Sequence, residues 1–210
     1  MTVFVSWSGG KDSALALYRA LKDVKKVDIL FTMLDETCMK TRAHGLKRDV
    51  IERQARAIGV DVIFGCASWE TYEAEFLKFL ERYATNGVGI FGDIDLEDHR
   101  KWVEGVCGRY NVKALEPLWL EDRRRLIEEF INLGFKAKIV VVKKGFEDLL
   151  GLDLHDYKTI ELIESLGIDL AGENGEYHTL VYDGPIMKYS LSFEIKGVRE
   201  NEKNVYLLVE

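Results

Sequence analysis

The chain has 210 residues, 47% of them hydrophobic and 31% charged, with a formal net charge of -7. That balance supports a sizeable buried core and excludes disorder, collagen-like repetition, a disulfide-built scaffold and a broadly basic nucleic-acid face. No apolar run approaches the ~20 residues of a membrane span, and Met1–Ser6 has neither the basic start nor the apolar length of an export signal.

In chain order, Val3–Ser6, Asp28–Leu34, Val60–Cys66, Val88–Ile94 and Val112–Leu115 read as short buried strands, rich in β-branched residues and Phe. Between them, helical spacing aligns Leu17, Tyr18 and Leu21, then Leu46, Val50 and Ile58, then Tyr72, Phe76, Phe79, Leu80 and Tyr83. Strand–helix alternation of this kind predicts an α/β fold with a doubly wound parallel sheet. The pattern changes near residue 122. A helix over about Asp122–Leu133 ending at Gly134, a strand Ala137–Lys143, a helix near Tyr157–Leu166 ending at Gly167, and an end strand Val205–Val209 predict a smaller α+β domain. The expected division is 1–122 and 123–210, with close packing because no Pro/Gly/Ser-rich linker separates the parts.

Three cysteines, Cys38, Cys66 and Cys107, are odd in number and lack CxxC spacing, which predicts free thiols in a cytoplasmic protein. Cys38 falls in a loop without an evident partner. The single glutamine, Gln54, beside abundant Lys and Glu points to a heat-loving source.

The strongest chemical signal is Ser8-Gly9-Gly10-Lys11-Asp12-Ser13, between the first strand and an Ala/Leu-rich helix. Glycines allow a sharp turn and close backbone approach to a ligand. The helix start offers free N–H groups and a positive dipole end. Lys11 supplies a cation and Asp12 a hard oxygen suited to Mg²⁺. Together these describe a polyphosphate site. It is not a Walker loop, which needs Ser or Thr after the lysine. Gly87-Val88-Gly89-Ile90-Phe91-Gly92 matches GxGxxG formally, but it reads as a strand and opens no helix, so it is not a dinucleotide site.

The Ser8–Ser13 segment resembles the PP-loop of the ATP pyrophosphatases. Gly92-Asp93-Ile94, Pro117-Leu118-Trp119 and Gly172-Glu173-Asn174-Gly175-Glu176-Tyr177-His178-Thr179, in that order, are similar to segments of the diphthine–ammonia ligase family, in an archaeal thermophile's version. The chain departs from that pattern at Trp102 (often Arg), Asn174 (often Gly) and His178 (often Glu). The resemblance implies ATP-dependent amidation of the diphthine carboxylate on translation elongation factor 2. ATP cleaved between its α- and β-phosphates would activate the carboxylate as an adenylate, which ammonium-derived ammonia then displaces. It implies ATP contacts from Ser8, Gly9, Gly10, Lys11, Asp12, Ser13, His44, Gly92 and Asp93, with Mg²⁺ on Asp12. Acceptor contacts would come from Trp119, Glu173, Asn174, Gly175, Glu176, Tyr177, His178 and Thr179. Lys11, Asp12, Glu173 and Glu176 are the expected catalytic groups.

By chemistry alone, Glu173 and Glu176 form a compact acidic pair suited to a cation or to deprotonating ammonium. Tyr177 beside them, with Trp7 and Trp119 as further walls, offers a cation–π face for a trimethylammonium group. Arg123, Arg124 and Arg125 read as solvated surface, and His99 and His155 as surface too. No nucleic-acid substrate and no membrane partner are expected; a homodimer is compatible with the sequence. Two alternatives stay open: a tRNA-modifying PP-loop enzyme, disfavoured by the net charge and the lack of a cysteine pair, and a nucleotide-binding protein without turnover.

Overall fold

Short strands flanked on both sides by amphipathic helices bury both faces of a parallel sheet. The computed structural model describes residues 1–210. Its first sheet is built from β1 (Val3–Ser6), β2 (Ile29–Leu34), β3 (Asp61–Cys66), β4 (Val88–Ile90) and β5 (Lys113–Leu115), all parallel, in the order β3-β2-β1-β4-β5. The intervening helices are α1 (Lys11–Ala20), α2 (Arg48–Ile58), α3 (Tyr72–Phe79, running on into a π-helical turn at Leu80–Ala84) and α4 (Glu97–Gly108). The strand order reverses between β1 and β4. In open α/β sheets that point, at the carboxyl ends of the strands, is where ligands bind, and here it lies at the Ser8–Ser13 loop.

One face of the sheet is aromatic. Phe31 and Phe79 stack at 3.9 Å, and Phe4 meets Phe79 edge-on at 5.0 Å, the edge-on contact being the one that ring quadrupoles favour. On the other face the core continues without a break from Val5, Leu17 and Val50 into Ile139, Val141 and Leu180 of the second sheet. That second sheet is antiparallel, in the order β7-β6-β9-β8, from β6 (Lys136–Lys143), β7 (Tyr177–Asp183), β8 (Ile195–Glu200) and β9 (Asn204–Val209). Helices α5 (Arg123–Asn132) and α6 (Tyr157–Ser165) accompany it, each started by an aspartate cap: Asp122 accepts from Arg125 N–H (2.9 Å) and Asp156 from Lys158 N–H (3.0 Å). The two parts thus share one hydrophobic core, as the missing linker led one to expect. No helix is long and apolar enough to cross a membrane.

Three expectations are corrected by packing. β4 ends at Ile90 rather than Ile94; Phe91 N–H still reaches Leu115 C=O (2.9 Å), after which the chain leaves the sheet. Leu21 points outward, 41% exposed, because α1 ends at Ala20. Cys38 and Cys66 are joined in a disulfide with Cα atoms 5.2 Å apart, leaving Cys107 as the free, buried thiol. The reason is register: Leu34 pairs with Cys66 across β2 and β3, so the turn after β2 brings Cys38 back beside the end of β3.

Candidate active site

The Ser8–Ser13 loop leaves β1, turns at Gly9 with φ +84°, and enters α1 at Gly10, where no side chain caps the helix. Its own hydroxyls hold the turn: Gly10 N–H donates to Ser8 Oγ (3.3 Å), Ser13 Oγ donates to Gly10 C=O (3.0 Å), and the two hydroxyls lie 3.1 Å apart. The second sheet grips the same loop. Lys11 N–H donates to Thr179 Oγ1 (3.0 Å) and Val181 N–H to Gly9 C=O (2.9 Å). Gly92 closes the other side so tightly that a Cβ there would lie 2.9 Å from the Asp12 backbone carbon.

Gln54, on the buried face of α2, ties these pieces together. Its amide nitrogen donates to Gly9 C=O (3.0 Å) and Val181 C=O (2.7 Å), and its oxygen accepts from Trp7 Nε1 (2.9 Å). Sequence reasoning missed this role. The available signal was a polar residue four positions from Val50 on an otherwise apolar helical stripe. Trp7 is consequently an interior residue, 2% exposed, and not a wall for a ligand.

At the loop's mouth charges converge. The Lys11 side chain is buried; its Nζ lies 2.7 Å from Asp12 Oδ2, 3.9 Å from Glu173 Oε1 and 5.7 Å from the Tyr177 ring centre. Burial, and then the neighbouring Asp12 charge, push the Glu173 carboxyl up to about 7. Arg123 spans the two parts: it forms a fork on Asp95 (2.7 and 2.9 Å) and reaches Asp169 Oδ2 (2.7 Å). Asp169 in turn accepts from Glu173 N–H (2.7 Å). Arg123 therefore is not solvated surface; it anchors the loop that carries Glu173. Arg124 instead pairs with Glu164 and Glu128 on the surface.

The acidic pair divides into unlike halves. Glu176 is buried and accepts from Asn174 N–H (3.1 Å), Asn174 Nδ2 (3.2 Å) and Asp169 N–H (3.4 Å), which makes it the staple of its own turn rather than a reacting group. Tyr177, 1% exposed, donates its hydroxyl to Leu170 C=O (2.5 Å) and has its ring beside Lys11, so it offers no face to an outside cation. Thr179 is spent on Lys11 N–H. Of the acceptor segment, Glu173, Asn174, Gly175 and His178 keep accessible surface.

His44 and His178 face each other across the loop with ring centres 4.8 Å apart, and a Cβ on Gly10 would stand 2.6 Å from His44 Nε2. Desolvation, with Lys11 close by, holds both imidazoles neutral: His44 well below its usual range and His178 down to about 4. Asp93 accompanies the exposed His99, whose Nδ1 is 3.1 Å from Asp93 Oδ1; that hydrogen bond raises the imidazole's pKa. Trp119 is half-buried with the Arg100 guanidinium over its ring at 4.6 Å. No three His, Cys, Asp or Glu side chains gather as a ready-made metal cage.

Residues 1–114 match the family model of the diphthamide synthase N-terminal domain and residues 122–209 that of its C-terminal domain. A diphthine–ammonia ligase from Bos taurus is 29% identical over 217 residues, covering 90% of this chain and 81% of that protein. The Homo sapiens ligase is 34% identical over 125 residues, which is 54% of this chain but only 45% of that longer protein. A crystal structure described as a predicted subunit of tRNA methyltransferase from Methanocaldococcus jannaschii has a TM-score of 0.48 and 15% identity, covering 91% of this chain and all of that one, a likeness too slight to build on. The two family matches between them take in nearly the whole chain, and the chain belongs to the diphthamide synthase family.

Proposed function

We propose that the chain is an AMP-forming carboxylate–ammonia ligase that amidates diphthine on translation elongation factor 2. The observation that carries this reading is the juxtaposition of Lys11, on an uncapped helix start, with Glu173, a carboxyl from the second sheet's side that titrates near neutrality. A carboxylate becomes a usable electrophile only when its oxygen leaves with AMP. The first part, 1–122, supplies the groups for that activation: the N-terminus of α1 and Lys11 meet the polyphosphate, while Gly9, Gly10 and Gly92 let Gln54, His44 and the Asp12 backbone pack closely around the loop. Mg²⁺ would supply charge neutralisation on the phosphates; Asp12, 32% exposed and at the loop's mouth, is the carboxylate placed to share it, since Mg²⁺ binds through one or two carboxylates together with phosphates.

The second part, 123–210, supplies the acceptor side. Glu173 stands where it can take a proton from ammonium as nitrogen attacks, and a carboxyl tuned near 7 is suited to that task. His44 and His178, held neutral, stand beside the loop as uncharged imidazoles rather than cations. Labelled ATP incubated with ammonium and the diphthine-bearing factor should yield AMP and pyrophosphate, with the factor's mass shifting by the exchange of carboxylate for amide. ADP and phosphate as principal products would overturn the proposal. Lys11→Ala should slow turnover on the order of 10²-fold or more, whereas Glu176→Gln should act chiefly through folding of the 169–176 turn.

A further inference from the structure

We propose that Glu116 and Asp93 bind the ammonium ion that supplies the new amide nitrogen; this rests on the ligase reading above. Glu116 directly follows β5, and Asp93 lies two residues beyond Phe91, whose N–H is bonded to Leu115 C=O (2.9 Å). The two carboxylates therefore rise from neighbouring strands at the carboxyl edge of the sheet, beside the switch point. The Glu116 side chain is 7% exposed, yet its Oε1 is buried with no hydrogen-bonding partner in the protein. A native fold seldom leaves a buried carboxylate oxygen unpaired without a use for it.

The surroundings favour a small cation there. Arg100 is the only cation that touches Glu116, and it is shared: its Nε is 3.4 Å from Glu116 Oε2 but 2.9 Å from Glu104 Oε1, while its guanidinium lies over Trp119. Asp93, Glu104 and Glu97 all add negative potential at Glu116; burial and the Asp93 charge, in that order, raise its carboxyl pKa. A cation settling against Oε1 relieves both effects. Ammonium, which donates four N–H bonds and is nearly the size of water, would reach Oε1 with less displacement of the surrounding side chains than a methylated amine. His99 is hydrogen-bonded to Asp93 (3.1 Å), and the Glu173 charge adds to the upward shift of its imidazole.

Steady-state kinetics on the full chain test this. Glu116→Gln should raise KM for ammonium about 10- to 100-fold, the worth of a hydrogen bond to a charged group, while ATP–pyrophosphate exchange with the diphthine-bearing factor stays within about twofold of wild type. Glu97→Gln, which removes the weakest of the charges acting on Glu116, should raise ammonium KM far less than Glu116→Gln does. Unaltered ammonium KM in Glu116→Gln, an equal rise in Glu97→Gln, or equally effective competition by potassium would overturn the assignment. Glu116→Asp, which keeps the charge but withdraws it by one methylene, should fall between Gln and wild type and guards against a folding defect. If wild type shows no exchange at all, the ligase reading fails separately. The niche is then read by titrating ¹⁵N-ammonium alone: tenfold weaker binding to Glu116→Gln upholds it, and equal binding overturns it.

Discussion

Gln54→Met keeps the side chain's length while removing all three of its hydrogen bonds. Trp7 N–H and Val181 C=O would lose their Gln54 partner in the interior, whereas Gly9 C=O keeps its bond from Val181 N–H (2.9 Å). At about 1–3 kcal/mol for each orphaned buried group the loss is roughly 2–6 kcal/mol. Exchanging a buried amide for a thioether returns about 1 kcal/mol of that, for a net loss of about 1–5 kcal/mol. For a chain of this size each kcal/mol lowers Tm by about 2–4 °C, so a fall of roughly 2–20 °C is expected. Urea unfolding followed by far-ultraviolet circular dichroism measures it directly, and the KM for ATP should rise because Gly9 loses a tether. Gln54→Glu adds a diagnostic sign: a carboxylate facing two carbonyl oxygens is worse than Met at pH 8 but recovers at pH 5, where protonation restores one donor. Gln54→Met within about 0.5 kcal/mol of wild type would refute the view that this residue clamps the loop to both sheets.

Gly10→Ala places a Cβ 2.6 Å from His44 Nε2 and 3.3 Å from Thr179 C=O, so His44 must move; ATP-dependent turnover should drop at least about tenfold, measured by pyrophosphate release, with stability little changed. Glu173, raised from 4.5 to about 7 by folding, contributes stability below pH 4.5 that is lost as pH rises through 7; Glu173→Gln should abolish that slope and remove a limb near pH 7 from the kcat/KM profile. His178, lowered from 6.5 to about 4, acts oppositely: its contribution is present above pH 6.5 and lost as pH falls toward 4, so the stability difference between His178→Asn and wild type should change across that interval. Denatured without reductant, the chain should show one reactive thiol, Cys107, and three after reduction; the Cys38–Cys66 link, 28 residues apart, should add about 3–4 kcal/mol to unfolding.

Much of this molecule is legible from its residues. Buried runs such as Val3–Ser6 and Ile29–Leu34 and the helix stops at Gly134 and Gly167 are set by residue type and backbone sterics within a few residues, whereas β3 proves to be largely half-buried. The placement of the Ser8–Ser13 loop is legible too, because a strand, two glycines and a helix start already fix its turn into α1. What tertiary structure alone decided are pairings across long stretches of chain. Gln54 meets Val181 over 127 positions, Lys11 meets Thr179 over 168, and Cys38 finds Cys66 only through the register of β2 against β3. The same holds for the Gly172–Thr179 segment: alternation along β7 turns Tyr177 and Thr179 inward, while the turn before it folds Glu176 back onto its own backbone and leaves Glu173 facing Lys11. Residue type tells which groups can react; burial and neighbours decide which of them stay free to do so.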